Sequence, residues 1–149
     1  MMLSRFISYT TGVILSFSIS FYSHADEAVK FGDYVIHYNA LATDILLPEV
    51  ARAYKIKRSK NRGMVNIVVQ KKNEKGTQGI TAKVTGTASN LNAQLKHLNF
   101  NEIKDANVTY YIADFRVTNK EIMNFKVTVT PTGSTKSHTL KFQKEFYTD

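Results

Sequence analysis

The chain has 149 residues, a formal net charge of +8 and no cysteine. A chain of this length can form one domain whose hydrophobic core is large enough to be stable without cross-links. The absence of cysteine excludes disulfides, thiolate chemistry and a lipid attached to a cysteine. The excess of Lys and Arg favours an anionic partner without identifying one.

The first 25 residues have the layout of a cleavable export signal. Arg5 gives a basic start, residues 6–22 carry no charge, and Ser23-His24-Ala25 places small residues where signal peptidase needs them. Retention as a membrane anchor is the alternative, but interspersed serines leave the run short of the roughly 20 apolar residues that a spanning helix requires. We therefore expect cleavage after Ala25, with residues 26–149 released into the periplasm as one soluble domain that is not a lipoprotein.

From Asp33 onward the hydrophobic pattern has mostly a period of two, which is typical of strands with one buried face. Such clean alternation favours antiparallel over parallel sheet. Turn-forming residues, among them Gly76, Asn90 and Gly133, separate the strands at nearly even intervals. The main predicted strands are residues 33–39, 65–70, 81–88, 109–117, 124–129 and 139–146.

One stretch, residues 47–54, interrupts the strand period. Leu47, Val50 and Tyr54 recur at helical spacing, and Pro48 suits the first position of a helix. We expect a short helix that crosses between two sheets. About seven strands and one crossover predict an all-β fold, an immunoglobulin-like antiparallel β-sandwich, with a small closed β-barrel as the alternative.

Several phrases of the sequence carry a family resemblance. They are Phe31-Gly32-Asp33-Tyr34 with His37-Tyr38, Pro48-Glu49-Val50-Ala51 with Tyr54, Arg58-Ser59-Lys60-Asn61-Arg62-Gly63 leading into Val65-Asn66-Ile67, Asn90-Leu91, Tyr110-Tyr111-Ile112-Ala113 with Phe115, and the ending from Lys141-Phe142 to Asp149. The chain resembles a family of exported Gram-negative bacterial proteins that is catalogued only as a domain of unknown function. The resemblance implies a periplasmic single-domain β protein and supplies no activity, ligand or catalytic residue.

The strongest local signal is a run of cations without any acid between residues 55 and 62. Its members Lys57, Arg58, Lys60 and Arg62 could bind phosphate or carboxylate, because arginine offers forked donors and the following glycine permits close backbone approach. The alternative is a solvated loop, which is the usual fate of a charge run.

Two tyrosines, Tyr34 and Tyr38, are candidates for aromatic contact with a sugar or base ring beside this loop. Packing within the sandwich is the alternative, since tyrosine readily fills a half-buried sheet.

Metal binding and catalysis find little support in the sequence. His37, His97 and His138 lack the spacing that would put two metal ligands on one face, and we expect each to face solvent or to be hydrogen-bonded. No nucleophile motif or phosphate-binding glycine loop is present. We expect no metal, no cofactor and no enzymatic activity.

The sequence thus predicts a non-enzymatic periplasmic binding or assembly module that engages an anionic partner through the loop at residues 55–62. The partner would be an anionic envelope component or a periplasmic protein rather than nucleic acid. The alternative function is a protein-interaction adaptor or inhibitor that acts through a sheet edge or a loop.

Overall fold

The computed structural model describes residues 27–149, so the predicted export signal and its cleavage bond lie outside the described residues. The described chain consists mostly of strands, with one 3₁₀ turn and one short helix. The strands are β1 (Glu27–Phe31), β2 (Tyr34–Ala42), β3 (Arg62–Asn73), β4 (Gly76–Gly79), β5 (Ala82–Asn90), β6 (Leu95–Leu98), β7 (Asn101–Asp105), β8 (Val108–Arg116), β9 (Glu121–Pro131) and β10 (His138–Phe146). The 3₁₀ turn is Thr43–Ile45, and the helix α1 is Pro48–Ala53.

The strands form two antiparallel sheets. The first has the order β1-β2-β3-β8-β7 with β4 paired to one end of β3, and the second has the order β10-β9-β5-β6. The prediction of an all-β sandwich is confirmed, and neither sheet closes into the alternative barrel. The described chain has ten strands, whereas the sequence predicts about seven. Four of the ten contain only four or five residues, which is too short for an alternating hydrophobic pattern to be recognised.

The core lies between the two sheets and is made by the strand faces that alternation predicts. Val65 and Ile67 of β3 are buried, as are Val127 and Val129 of β9. Aromatic rings fill one end of this layer, where Phe125 packs near Phe115, Phe142 and Phe146 with ring centroids 4.9 to 6.5 Å apart. Such pairs stabilise a core beyond the area they bury.

The predicted helix is present, but its expected crossing between two sheets is wrong. The chain leaves β2 and returns as β3, and these strands are direct neighbours in the first sheet, with Ala42 opposite Gly63. The connection is fixed by Thr43, a fully buried residue whose hydroxyl donates to the Lys57 carbonyl at 2.9 Å and accepts from the Ser59 N–H at 3.0 Å. A buried hydroxyl requires hydrogen-bond partners, and through these two bonds Thr43 holds the loop at residues 55–62 against the end of the sheet.

Candidate functional site

The four cations predicted to bind an anion do not converge on one point. Arg62 donates from Nε to Asp114 Oδ2 at 2.8 Å and forms an ion pair with the same carboxylate through Nη2. Arg58 donates from Nη2 to the backbone oxygen of Asp44 at 2.8 Å. Lys57 and Lys60 are exposed. Both arginines thus contact oxygens of this chain, and only the two lysines of the set extend freely into solvent.

Tyr34 and Tyr38 lie on the face of β2 that is directed at the second sheet. The ring of Tyr38 is 4.5 Å from that of Phe142, and the ring of Tyr34 is 6.0 Å from that of His138. Both tyrosines therefore pack against β10, which is the arrangement that the core-packing alternative expects.

An open cleft separates β2 from β10 along one side of the sandwich. β1 pairs with β2 only between Tyr34 and Tyr38, so within the described part of the chain residues 39–42 have a neighbour strand on one side only. β10 is one of the two edge strands of the second sheet as described. Between these two edges the cleft encloses about 630 Å³, with residues 39–42, 44 and 45 on one wall and residues 144–147 on the other.

The cleft has an apolar floor and an apolar rim. Ala40 and Phe146 are buried at its base, whereas Ile45 and Tyr147 are 56% and 60% exposed. Large apolar side chains that remain exposed beside a recess are typical of a contact surface. The position of Ile45 follows from the 3₁₀ turn that Thr43 begins.

A smaller hollow of about 130 Å³ continues the cleft past Tyr38. Hydrogen bonding to Glu27, which lies opposite it on β1, together with burial raises the pKa of Tyr38 to about 12. At the other end, hydrogen bonding to Glu145 raises the pKa of Tyr147. The one O–H of each phenol is thus directed at a carboxylate, so a ligand would meet the phenol oxygen as a hydrogen-bond acceptor.

The charge at this cleft differs in sign from the charge of the whole chain. Glu27, Asp44 and Glu145 line the cleft and its extension, whereas Lys144 is the one Lys or Arg among their lining residues. An otherwise basic protein therefore presents an acidic margin here.

The histidines behave differently from one another. His37 is hydrogen-bonded through Nε2 to Gln70 Oε1 at 2.9 Å, and His97 is exposed, so both predictions are confirmed. The prediction for His138 is wrong, because this residue is buried and its Nε2 has no hydrogen-bond partner in the described structure. The sequence could have indicated that His138 is buried. The residue lies two positions before Leu140 and therefore on the same face of β10 as Leu140 and Phe142. Residues 27–149 contain no group of three His, Asp or Glu side chains placed to hold a metal ion.

This architecture defines the chain as a small two-sheet β-sandwich with an open lateral cleft. It belongs to the family described as Domain of unknown function (DUF4426), whose model matches residues 28–149. The resemblance seen in the sequence is thereby confirmed. No curated protein matches the chain. Neither helical segment of residues 27–149 is long and apolar enough to cross a membrane.

Solved structures give the same fold. A DUF4426 family protein from Pseudomonas aeruginosa is 30% identical, with a TM-score of 0.73 over 86% of this chain and 99% of its own. FetP from uropathogenic Escherichia coli, expressed recombinantly in the periplasm, is 10% identical, with a TM-score of 0.58 over 83% of this chain and 94% of its own. A copper-bound FetP variant gives a TM-score of 0.56 at 10% identity, over 82% and 95% of the two chains. The likeness to FetP is one of fold alone.

Proposed function

We propose that this protein is a non-enzymatic periplasmic binding module that accepts an extended segment of another protein in the cleft between β2 and β10. The observation that carries the proposal is that, within residues 27–149, the stretch of β2 at residues 39–42 has a neighbour strand on one side only and faces β10, an edge strand, over an apolar floor. In strand addition, main-chain hydrogen bonds supply affinity, and recesses for alternate side chains supply specificity.

The chemistry of the cleft specifies the segment that it accepts. Ala40 and Ala42 leave room for apolar side chains at alternate positions, and Ile45 and Tyr147 would cover them. The acidic margin formed by Glu27, Asp44 and Glu145 favours a segment that carries Lys or Arg at its ends. The expected partner is therefore an extended apolar segment with basic flanks.

The periplasmic part of the proposal is supported by the export-signal layout that ends at Ala25. The family match begins at residue 28, just beyond the predicted cleavage bond. Copper binding by the FetP variant is not extended to this chain, because a likeness of fold does not carry a ligand with it.

The anionic-partner hypothesis for the loop at residues 55–62 is the second candidate function. It is favoured by the exposure of Lys57 and Lys60 within a run that contains no acid. Binding through these lysines would be largely lost at high salt, whereas strand addition would keep the part of its affinity that main-chain hydrogen bonds and apolar burial supply.

The proposal can be tested by selecting a phage-displayed library of short linear peptides on residues 26–149. The enriched peptides are expected to shift the NMR amide signals of residues 39–42 and 143–146. Ile45→Ser combined with Tyr147→Ser should weaken their binding at least about tenfold, because an apolar side chain contributes about 1.5–3 kcal/mol when buried.

Leu91→Ser combined with Leu95→Ser is the matched control, since these leucines are 70% and 59% exposed on the β5–β6 hairpin, away from β10 in the second sheet. Selection without enrichment, or equal loss of affinity in both double variants, would overturn the assignment of the cleft. Peptide binding abolished by Lys57→Gln and Lys60→Gln would move the site to the loop.

A further inference from the structure

A second recess lies at the opposite end of β10 from the cleft, between the β1–β2 turn and the β9–β10 loop. It encloses about 680 Å³ and is lined by Lys30, Phe31, Tyr34, Lys136 and His138, among others. Each wall contains a glycine in the left-handed region, Gly32 with φ 58° and Gly133 with φ 83°. Glycine adopts this conformation at little cost, so both turns can be tight.

His138 is the unusual residue of this recess. It is only 8% exposed, its ring stacks on Phe31 with centroids 4.5 Å apart, and its Nε2 is buried without a hydrogen-bond partner in the described structure. Leaving a buried polar group without a partner costs about 1–3 kcal/mol, and almost all such groups in native proteins are satisfied. The imidazole is thus held in place by aromatic packing, while one of its nitrogens lacks a partner.

The surroundings of His138 indicate what that partner would be. Lys30 and Lys136 line the same recess, one from each wall, and Asp33 is the one acid among the lining residues. An ammonium group offers only donors, and a ring nitrogen that carries its proton is also a donor. Two ammonium groups beside one recess, together with an imidazole that can donate, favour a ligand that is rich in acceptors and negatively charged.

We propose that this recess binds a small oxyanion, a phosphate or a carboxylate group, through His138 with Lys30 and Lys136. Nε2 is buried in this conformation, so its contact with the oxyanion requires a shift of the His138 ring or of its surroundings. The site is separate from the peptide cleft, and the loop at residues 55–62 does not line it.

The experiment is an NMR titration of residues 26–149 with inorganic phosphate and, separately, with acetate. Ionic strength and pH are held constant with sodium chloride and buffer, and the ring signals of His138 are followed. We expect saturable shifts for His138, whereas His97, which is exposed on the outer face of the second sheet, should move little. Saturation by phosphate alone would identify a phosphate-type site, and saturation by both would identify a general oxyanion site.

Lys30→Gln combined with Lys136→Gln should weaken binding at least about tenfold without unfolding the domain, because both side chains are exposed. The matched control, Lys126→Gln combined with Lys141→Gln, removes the same charge from the outer face of the second sheet and should leave binding unchanged. Shifts that stay linear with concentration, or equal weakening in both double variants, would overturn the proposal, because either result would show a bulk charge effect.

Discussion

Arg62 binds the carboxylate of Asp114 across the β3–β8 pair, with the two side chains 24% and 33% exposed. A forked, charge-assisted contact of this kind holds two central strands together. We expect Arg62→Gln to lower the free energy of unfolding by about 1–3 kcal/mol, measured by urea denaturation. In a double-mutant cycle with Asp114→Asn, the two losses should not add. Additive losses would mean that Arg62 acts elsewhere, as the anion-binding hypothesis requires.

Lys126 and Lys141 lie directly opposite each other on β9 and β10, and both are exposed. Like charges in this position destabilise a sheet, so Lys126→Thr should raise the free energy of unfolding by about 0.2–1 kcal/mol at low salt. The gain should shrink at high salt, where the repulsion is screened. Lys83→Thr is the control, because Lys83 lies opposite Thr130 and has no cation across from it on β9. A gain that is independent of salt would point to strand propensity instead.

The ionisation of Glu121 makes the free energy of unfolding depend on pH in the acid range. Burial alone would raise its pKa, but a hydrogen bond from Asn90 Nδ2 at 3.0 Å, one from the Thr118 N–H at 2.8 Å and the charge of Lys96 outweigh burial and lower the pKa. A lowered pKa contributes stability that is present above the ordinary value of 4.5 and is lost as pH falls through the lowered pKa.

Denaturation curves recorded from pH 7 to pH 2 should therefore show a loss of stability in the wild-type protein that is smaller in Glu121→Gln. At pH 7 the variant should be less stable than the wild type by about 1.5–3 kcal/mol, which is the usual contribution of hydrogen bonds to a charged group. Parallel curves for the two proteins would assign the acid sensitivity to other carboxylates.

Gly63 lies where two aromatic rings approach the backbone of β3. A Cβ atom at this position would lie 2.7 Å from Cε1 of Phe146 and 2.9 Å from Cε2 of Phe115. We expect Gly63→Ala to lower the free energy of unfolding by about 1–3 kcal/mol, since the rings have to shift. Adding Phe146→Leu, which removes one ring, should cost less in this background than in the wild type. An equal cost in both backgrounds would contradict the steric explanation.

The alternation of apolar and polar residues predicted which face of each long strand is buried. It did not predict the features that depend on residues remote in the sequence. The alternation around Val65 and Val127 indicated their burial because one face of each strand meets the core. The pairing of Arg62 with Asp114 could not be predicted, since the register of β3 against β8 is set by tertiary packing. The same limit applies to the cleft, whose walls at residues 39–42 and 144–147 are remote in the sequence and are brought together by the packing of the two sheets.

The strand order also determines how the chain can fold. The centre of the first sheet pairs Val65 with Ala113, and the centre of the second pairs Ala88 with Phe125, so each sheet joins segments that are remote in the sequence. High contact order of this kind slows folding, because the chain loses the entropy of loop closure before the stabilising contacts form. Neither sheet can be completed by either half of the chain alone. We therefore expect the core to form only when β10, which contributes the buried Leu140 and Phe146, is available.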